Sequence, residues 1–232
     1  MKKMCVFTNV CDDPYLETWL SYYSKHFTDI YVLNHNNTDD SIEKAKEKFN
    51  FTEIIDSRGD IRRGVLDTES GEYFTKEHQR KLLKEYEWVL YAHADEIIVP
   101  DPRNFTGIED YVNKLSKDFV FCNGKTVLQL DEPDLDMSRP ILEQRKWWWP
   151  DTAYNKPLLS RVPLNWTMGY HSIVEIYEEF TKYLYDPNLY LIHLQQANLP
   201  FFKKRSMWRS LDWFSHGSDR KEEIPDYMRR AF

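Results

Sequence analysis

A fourfold alternation in the first hundred residues constrains this chain most. Short apolar runs at 5–10, 29–33, 51–55 and 88–92 have the length and bulk of buried strands. Stretches of helical period separate them. Asp13 and Pro14 open the first helix, which carries Leu16, Trp19, Leu20 and Tyr23 on one side. Thr38 or Asp39 caps a second that buries Ile42, Ala45 and Phe49, and Leu82, Leu83 and Tyr86 mark a third. Strands alternating with helices of this length predict an α/β fold, a mostly parallel central sheet flanked by helices on both faces.

After Pro100 the rhythm breaks. A helix is expected near 108–115 and a strand at 119–123, with Gly124 permitting a turn into another at 126–130. Residues 131–156 hold prolines, acids and the run Trp147-Trp148-Trp149, and read as a long functional loop or lid. Short strands are expected at 157–161, 181–185 and 190–194. A last helix at 201–214 carries Lys203, Lys204 and Arg205 at its start and Met207, Trp208, Leu211 and Phe214 as its apolar side. With no repeat and no linker, one domain spanning 1–232 is expected.

Composition removes several classes of function. The 31 Lys+Arg against 38 Asp+Glu leave a net charge of −7, which argues against a nonspecific nucleic-acid binder. No apolar stretch approaches the ~18 residues of a transmembrane helix, and the apolar part of residues 1–9 is too short for a secretory signal. Cys5, Cys11 and Cys122 are too few and too far apart for a disulfide framework or a four-thiolate zinc site. The sequons at Asn36, Asn50, Asn104 and Asn165 then read as chance, and a cytoplasmic protein is expected. Aromatic residues make up 16% of the chain, enough to supply sugar-stacking platforms as well as a core.

In an open parallel sheet, ligands bind beyond the carboxyl ends of the strands. Polar residues stand at all four such ends: Thr8 and Asn9, Asn34 to Asn37, Asp56 to Arg58, and His93 to Glu96. There is no Gly-x-Gly-x-x-Gly after the first strand and no Walker loop, so dinucleotide and phosphate-loop chemistry are not expected. The fourth end, His93-Ala94-Asp95-Glu96, combines imidazole and carboxylates that suit a hard divalent cation such as Mn²⁺.

Three segments in order carry a family resemblance. Residues 32–41 (Val-Leu-Asn-His-Asn-Asn-Thr-Asp-Asp-Ser) resemble the Val-Val-Asp-Asp-Gly-Ser-Thr-Asp-Asp-Thr segment of GT-A glycosyltransferases. Residues 12–20 are similar to the helix opening of the same enzymes, and 88–100 to their strand with the Asp-x-Asp metal motif. The resemblance implies a GT-A-type domain with a nucleotide-binding half (1–100) and an irregular acceptor-binding half (101–232). It implies a UDP-sugar or related donor, a glycan or other hydroxyl acceptor, and Mn²⁺ or Mg²⁺. Thr8 and Asn9 would lie near the nucleoside and Asn34 near the base, with Arg58 and Gln79 as further nucleotide contacts. Asp95 matches the metal-binding aspartate. His93 replaces the motif's first aspartate, either bonding a ribose hydroxyl or coordinating the ion without adding negative charge. A late histidine completes the metal shell in this family: His193 first, His171 as the alternative. Lys203, Lys204 and Arg205 could reach the diphosphate. Among the carboxylates Asp131, Asp134, Asp136, Glu143 and Asp151, the last is the expected catalytic base for an inverting enzyme. It follows Trp147, Trp148 and Trp149, which would hold the acceptor sugar. The alternative from another class is a noncatalytic carbohydrate-binding protein with a decayed metal motif.

Overall fold

The computed structural model describes residues 2–35, 37–55, 68–176, 183–206 and 222–231. Its first half follows the alternation of the sequence: β1 (Lys2–Val10), α1 (Leu16–Tyr23), β2 (Ile30–Asn34), α2 (Ser41–Lys48), β3 (Thr52–Ile55), α3 (Thr68–Leu82) and β4 (Tyr86–Tyr91). The second half adds β5 (Glu96–Pro100), α4 (Ile108–Asn113), β6 (Phe119–Phe121), β7 (Asn123–Leu128), β8 (Trp147–Pro150), β9 (Pro157–Ser160), β10 (Leu189–His193), α5 (Leu199–Ser206), β11 (Glu222–Glu223) and α6 (Asp226–Ala231).

The strands form two sheets. The first has the order β3-β2-β1-β4-β9-β6; its first four strands are parallel, and β9 runs antiparallel to both β4 and β6. The second, β11-β8-β7-β10-β5, is mixed. The α/β expectation holds, but a single mostly parallel sheet does not. Strands β1 to β4 are joined by helical crossovers and run parallel, whereas β6 to β9 follow one another without an α-helix and run in either direction.

The chain passes from the first sheet to the second between β4 and β5, through His93, Ala94 and Asp95. That junction is fixed from several sides. The apolar face expected of α1 is buried through Leu16, Trp19, Leu20 and Tyr23. From the same helix the Tyr22 hydroxyl donates to the Ile98 carbonyl (3.2 Å), and the Tyr23 hydroxyl accepts from the Ile98 amide (2.8 Å). These bonds satisfy backbone groups of β5, an edge strand that would otherwise bury unpaired polar atoms. Leu194 continues the β10 ladder past the strand end by donating to the Asp95 carbonyl (2.8 Å).

Three local expectations change. Residues 131–156 are not one loop: they contain β8 and helical turns at 141–143 and 152–154. Gly124 makes no turn but lies within β7, where a Cβ would stand 2.3 Å from the Asp151 carbonyl oxygen and 2.7 Å from the Tyr154 carbonyl carbon. Glycine is needed there for close approach of the 151–154 turn. Residues 183–185 carry no strand, and 181–182 lie outside the described residues, as does the expected helix beyond Ser206.

Candidate metal and nucleotide site

The strand ends bring Asp95, His193 and Asp151 together. Asp95 follows β4, His193 ends β10, and Asp151 begins the turn after β8; they are 3%, 3% and 4% exposed. His193 Nε2 stands 3.7 Å from Asp95 Oδ2. On the ring's other side, Nδ1 is 3.2 Å from the Thr126 hydroxyl, which donates to Asp151 Oδ2 at 2.8 Å. The Tyr154 ring stacks on His193 with centroids 3.7 Å apart and planes at 24°. Thr126, Tyr154 and Lys156 were not singled out in the sequence; a threonine in an apolar strand and a lysine before a proline carry no signal of their own.

His93, Asp95 and Glu96 each offer a ligand atom, all within 4.8 Å of one another. Glu96 is nevertheless engaged. The Lys156 ammonium donates to its Oε1 at 2.7 Å, with both side chains buried, and the His93 amide donates to Oε2 at 3.3 Å. Burial pushes the Glu96 pKa up, but the Lys156 charge and the nearby His93 and His193 rings outweigh it and hold it below the usual carboxylate value. A cation bound by Glu96 would have to sit beside an ammonium. His193 Nε2, at the end of β10, stands 3.7 Å from Asp95 Oδ2 beside this group, and carboxylate oxygen with imidazole nitrogen is a pairing that Mn²⁺ accepts.

His93 is held by aromatic rings, 5.1 Å from Tyr170 and 5.3 Å from Tyr91, both edge-on. Tyr170 adopts φ 64°, unusual for a bulky residue, directly after Gly169 at 71°. Its hydroxyl donates to Thr75 (3.1 Å).

The other expected residues fall out differently. Thr8 and Asn9 end β1, and among the described residues Thr8 Oγ1 and Asn9 Oδ1 are buried without a hydrogen-bond partner. Gly71 of α3 lies close by: a Cβ there would stand 3.3 Å from Asn9 Nδ2. Asn34 is occupied locally: it donates to Glu53 (2.8 Å) and accepts from the Asn37 amide (3.2 Å). Gln79 is fully buried, donates to Ser160 (2.9 Å) and accepts from the Leu164 amide (2.9 Å), tying α3 to β9 and the loop beyond. His171 binds the Ala153 carbonyl through Nδ1 (2.5 Å), behind the turn that carries Tyr154, and it is His193 that stands beside Asp95. Arg58 lies outside the described residues, Lys203 is exposed on α5, and nothing is described of the side chains of Lys204 and Arg205.

The tryptophans form β8 rather than a lid. Trp148 is buried and stacked on Tyr190 (6.2 Å, 22°), whereas Trp149 is the register partner of Thr126 and shares its face of the sheet, as does Trp147. Asp151, the expected base, is buried; its Oδ2 accepts from Thr126 and its Oδ1 from the Ala153 amide (3.2 Å). Burial pushes its pKa up, against the lowering effects of the Thr126 bond and His193. No protein-family model matches the chain, and no curated protein matches it either.

Proposed function

We propose that this protein is a glycosyltransferase of GT-A type, moving a sugar from a nucleoside-diphosphate sugar, UDP-sugars first, to a hydroxyl of a glycan acceptor. The observation that carries this reading is the meeting of Asp95 and His193 across 3.7 Å, at the junction where the parallel strands β1 and β4 end and the second sheet begins. Mn²⁺ or Mg²⁺ held by Asp95 and His193 would supply positive charge to the departing diphosphate. The chain's own part is orientation. Thr8 and Asn9 present polar atoms at the end of β1 for the nucleoside, His93 offers a donor to a ribose or sugar hydroxyl, and Trp149 offers an aromatic face on the side of Thr126 for the acceptor. No described helix is long and apolar enough to cross a membrane. Three scattered cysteines make no disulfide framework, and the cytoplasm is the proposed location.

A noncatalytic carbohydrate-binding protein is the second reading. The Lys156–Glu96 pair favours it, since part of the acidic cluster is already neutralised from within the chain. Release of nucleoside diphosphate from a panel of sugar nucleotides, with Mn²⁺ and glycan acceptors, separates the two. The transferase reading predicts release that Asp95→Asn cuts by about a hundredfold or more. Release from no donor contradicts it, and undiminished release by the variant removes Asp95 as a ligand.

A further inference from the structure

Thr126, Asp151 and His193 come from β7, the turn after β8 and the end of β10, and β7 and β10 pair so that Thr126 and His193 are register partners. Their hydrogen bonds can be followed proton by proton. A threonine hydroxyl has one proton, and a carboxylate can only accept. That proton goes to Asp151 Oδ2 at 2.8 Å, while the Ala153 amide occupies Oδ1. With its proton committed, Thr126 Oγ1 can only accept from His193 Nδ1 at 3.2 Å, so Nδ1 carries the ring proton. A neutral imidazole has one such proton. Nε2 is then left with its lone pair, facing Asp95 Oδ2 at 3.7 Å.

We propose that Thr126 and Asp151 are positioning residues, a relay that holds His193 in the Nδ1–H tautomer and keeps Nε2 free as an electron-pair donor toward Asp95. The Tyr154 ring stacked on His193 fixes the plane in which that donor points. Asp151 acts through Thr126 and His193, which explains a carboxylate that is sealed yet tied to the site. The Gly124 backbone sets its place, donating to Asn155 (3.0 Å) and accepting from the Asp151 amide (3.0 Å). The use of Nε2 as a metal ligand rests on the functional reading above; the tautomer does not.

The test is the tautomer itself. Protein labelled with ¹⁵N-histidine is examined by long-range ¹H–¹⁵N NMR at about pH 8, above the ordinary histidine range, with His193→Gln to assign the signals. The relay predicts a protonated Nδ1 and an unprotonated Nε2. Thr126→Val removes the acceptor and should move the proton to Nε2. Asp151→Asn should do the same, because its amide can donate to Thr126 and turn the hydroxyl proton toward Nδ1. Thr126→Ser should restore the native pattern, which loss of packing alone would not explain. A native ring protonated at Nε2 or at both nitrogens overturns the proposal, as does an unchanged tautomer in Thr126→Val. Added Mn²⁺ should broaden the His193 signals, with affinity about tenfold to a hundredfold weaker in Thr126→Val. The predicted tautomer with no broadening by Mn²⁺ supports the relay and counts against the metal reading.

Discussion

Histidines of one chemical type are put to different uses here by what surrounds them. His193 has a polar partner on each side, whereas His78 of α3 lies in an aromatic nest, with ring centroids 5.6 Å from Phe7, 5.8 Å from Tyr31 and 6.4 Å from Phe74. Burial, reinforced by the Lys81 charge, pushes the pKa of His78 down from 6.5 to about 4. Its folded-state value is therefore below its unfolded one. Above 6.5 both states are neutral and no stability is lost; as pH falls from 6.5 toward 4, the unfolded state takes a proton that the folded state refuses. Stability should decline across that window by up to about 3 kcal/mol from this residue. Urea unfolding of His78→Phe at a series of pH values should show a shallower decline, and an unchanged slope would exclude His78 as a source of acid sensitivity. In the sequence, His78 and His193 differ only in context. The end of an apolar strand singled out His193, while nothing marked Thr126, because its role depends on a partner from β10 far along the chain.

At the scale of elements, β7 and the 151–154 turn form one unit through Gly124. A side chain there would press on the Asp151 carbonyl oxygen at 2.3 Å and the Tyr154 carbonyl carbon at 2.7 Å, both backbone atoms that cannot swing aside. Gly124→Ala should push the turn away, separating Asp151 from Thr126 and Tyr154 from His193, and destabilise the fold by about 1–3 kcal/mol. Chemical denaturation would measure that cost, and an unperturbed variant would show that the turn does not depend on this contact. The elements of the first half were legible because each strand is a short apolar run and α1 and α2 declare apolar faces, whereas of Leu82, Leu83 and Tyr86, expected on the third helix, only Leu82 lies in it and Tyr86 opens β4. Leu16, Trp19, Leu20 and Tyr23 are buried as their spacing requires. The tryptophan run misled because three consecutive aromatics fit neither period; as β8, Trp148 enters the core while Trp147 and Trp149 stay half-buried on the opposite face.

At the scale of the whole molecule, the two sheets meet where the chain passes from β4 through His93 and Asp95 into β5, and the site is built on that passage. Its first half was visible in the sequence as polar residues at strand ends. The second sheet was not, because β10 pairs with β7 on one side and β5 on the other, elements distant in sequence whose pairing leaves no periodic trace. The buried Lys156–Glu96 pair spans the same junction, linking the start of β5 to the residue before β9. Removing one partner of such a pair typically costs about 3–5 kcal/mol. Charge balance at the junction is thus part of the fold as well as of the site. The proposed function requires this junction to bind a nucleoside diphosphate through a metal held by Asp95 and His193. The most direct measurement is thermal unfolding with UDP, GDP, dTDP and CMP, each with and without Mn²⁺, for the native protein and Asp95→Asn. Stabilisation by one diphosphate that grows with Mn²⁺, about 2.7 kcal/mol at a hundred times its Kd, and loses its metal dependence in Asp95→Asn is the predicted result. No shift with any nucleotide, with or without the metal, would contradict the account.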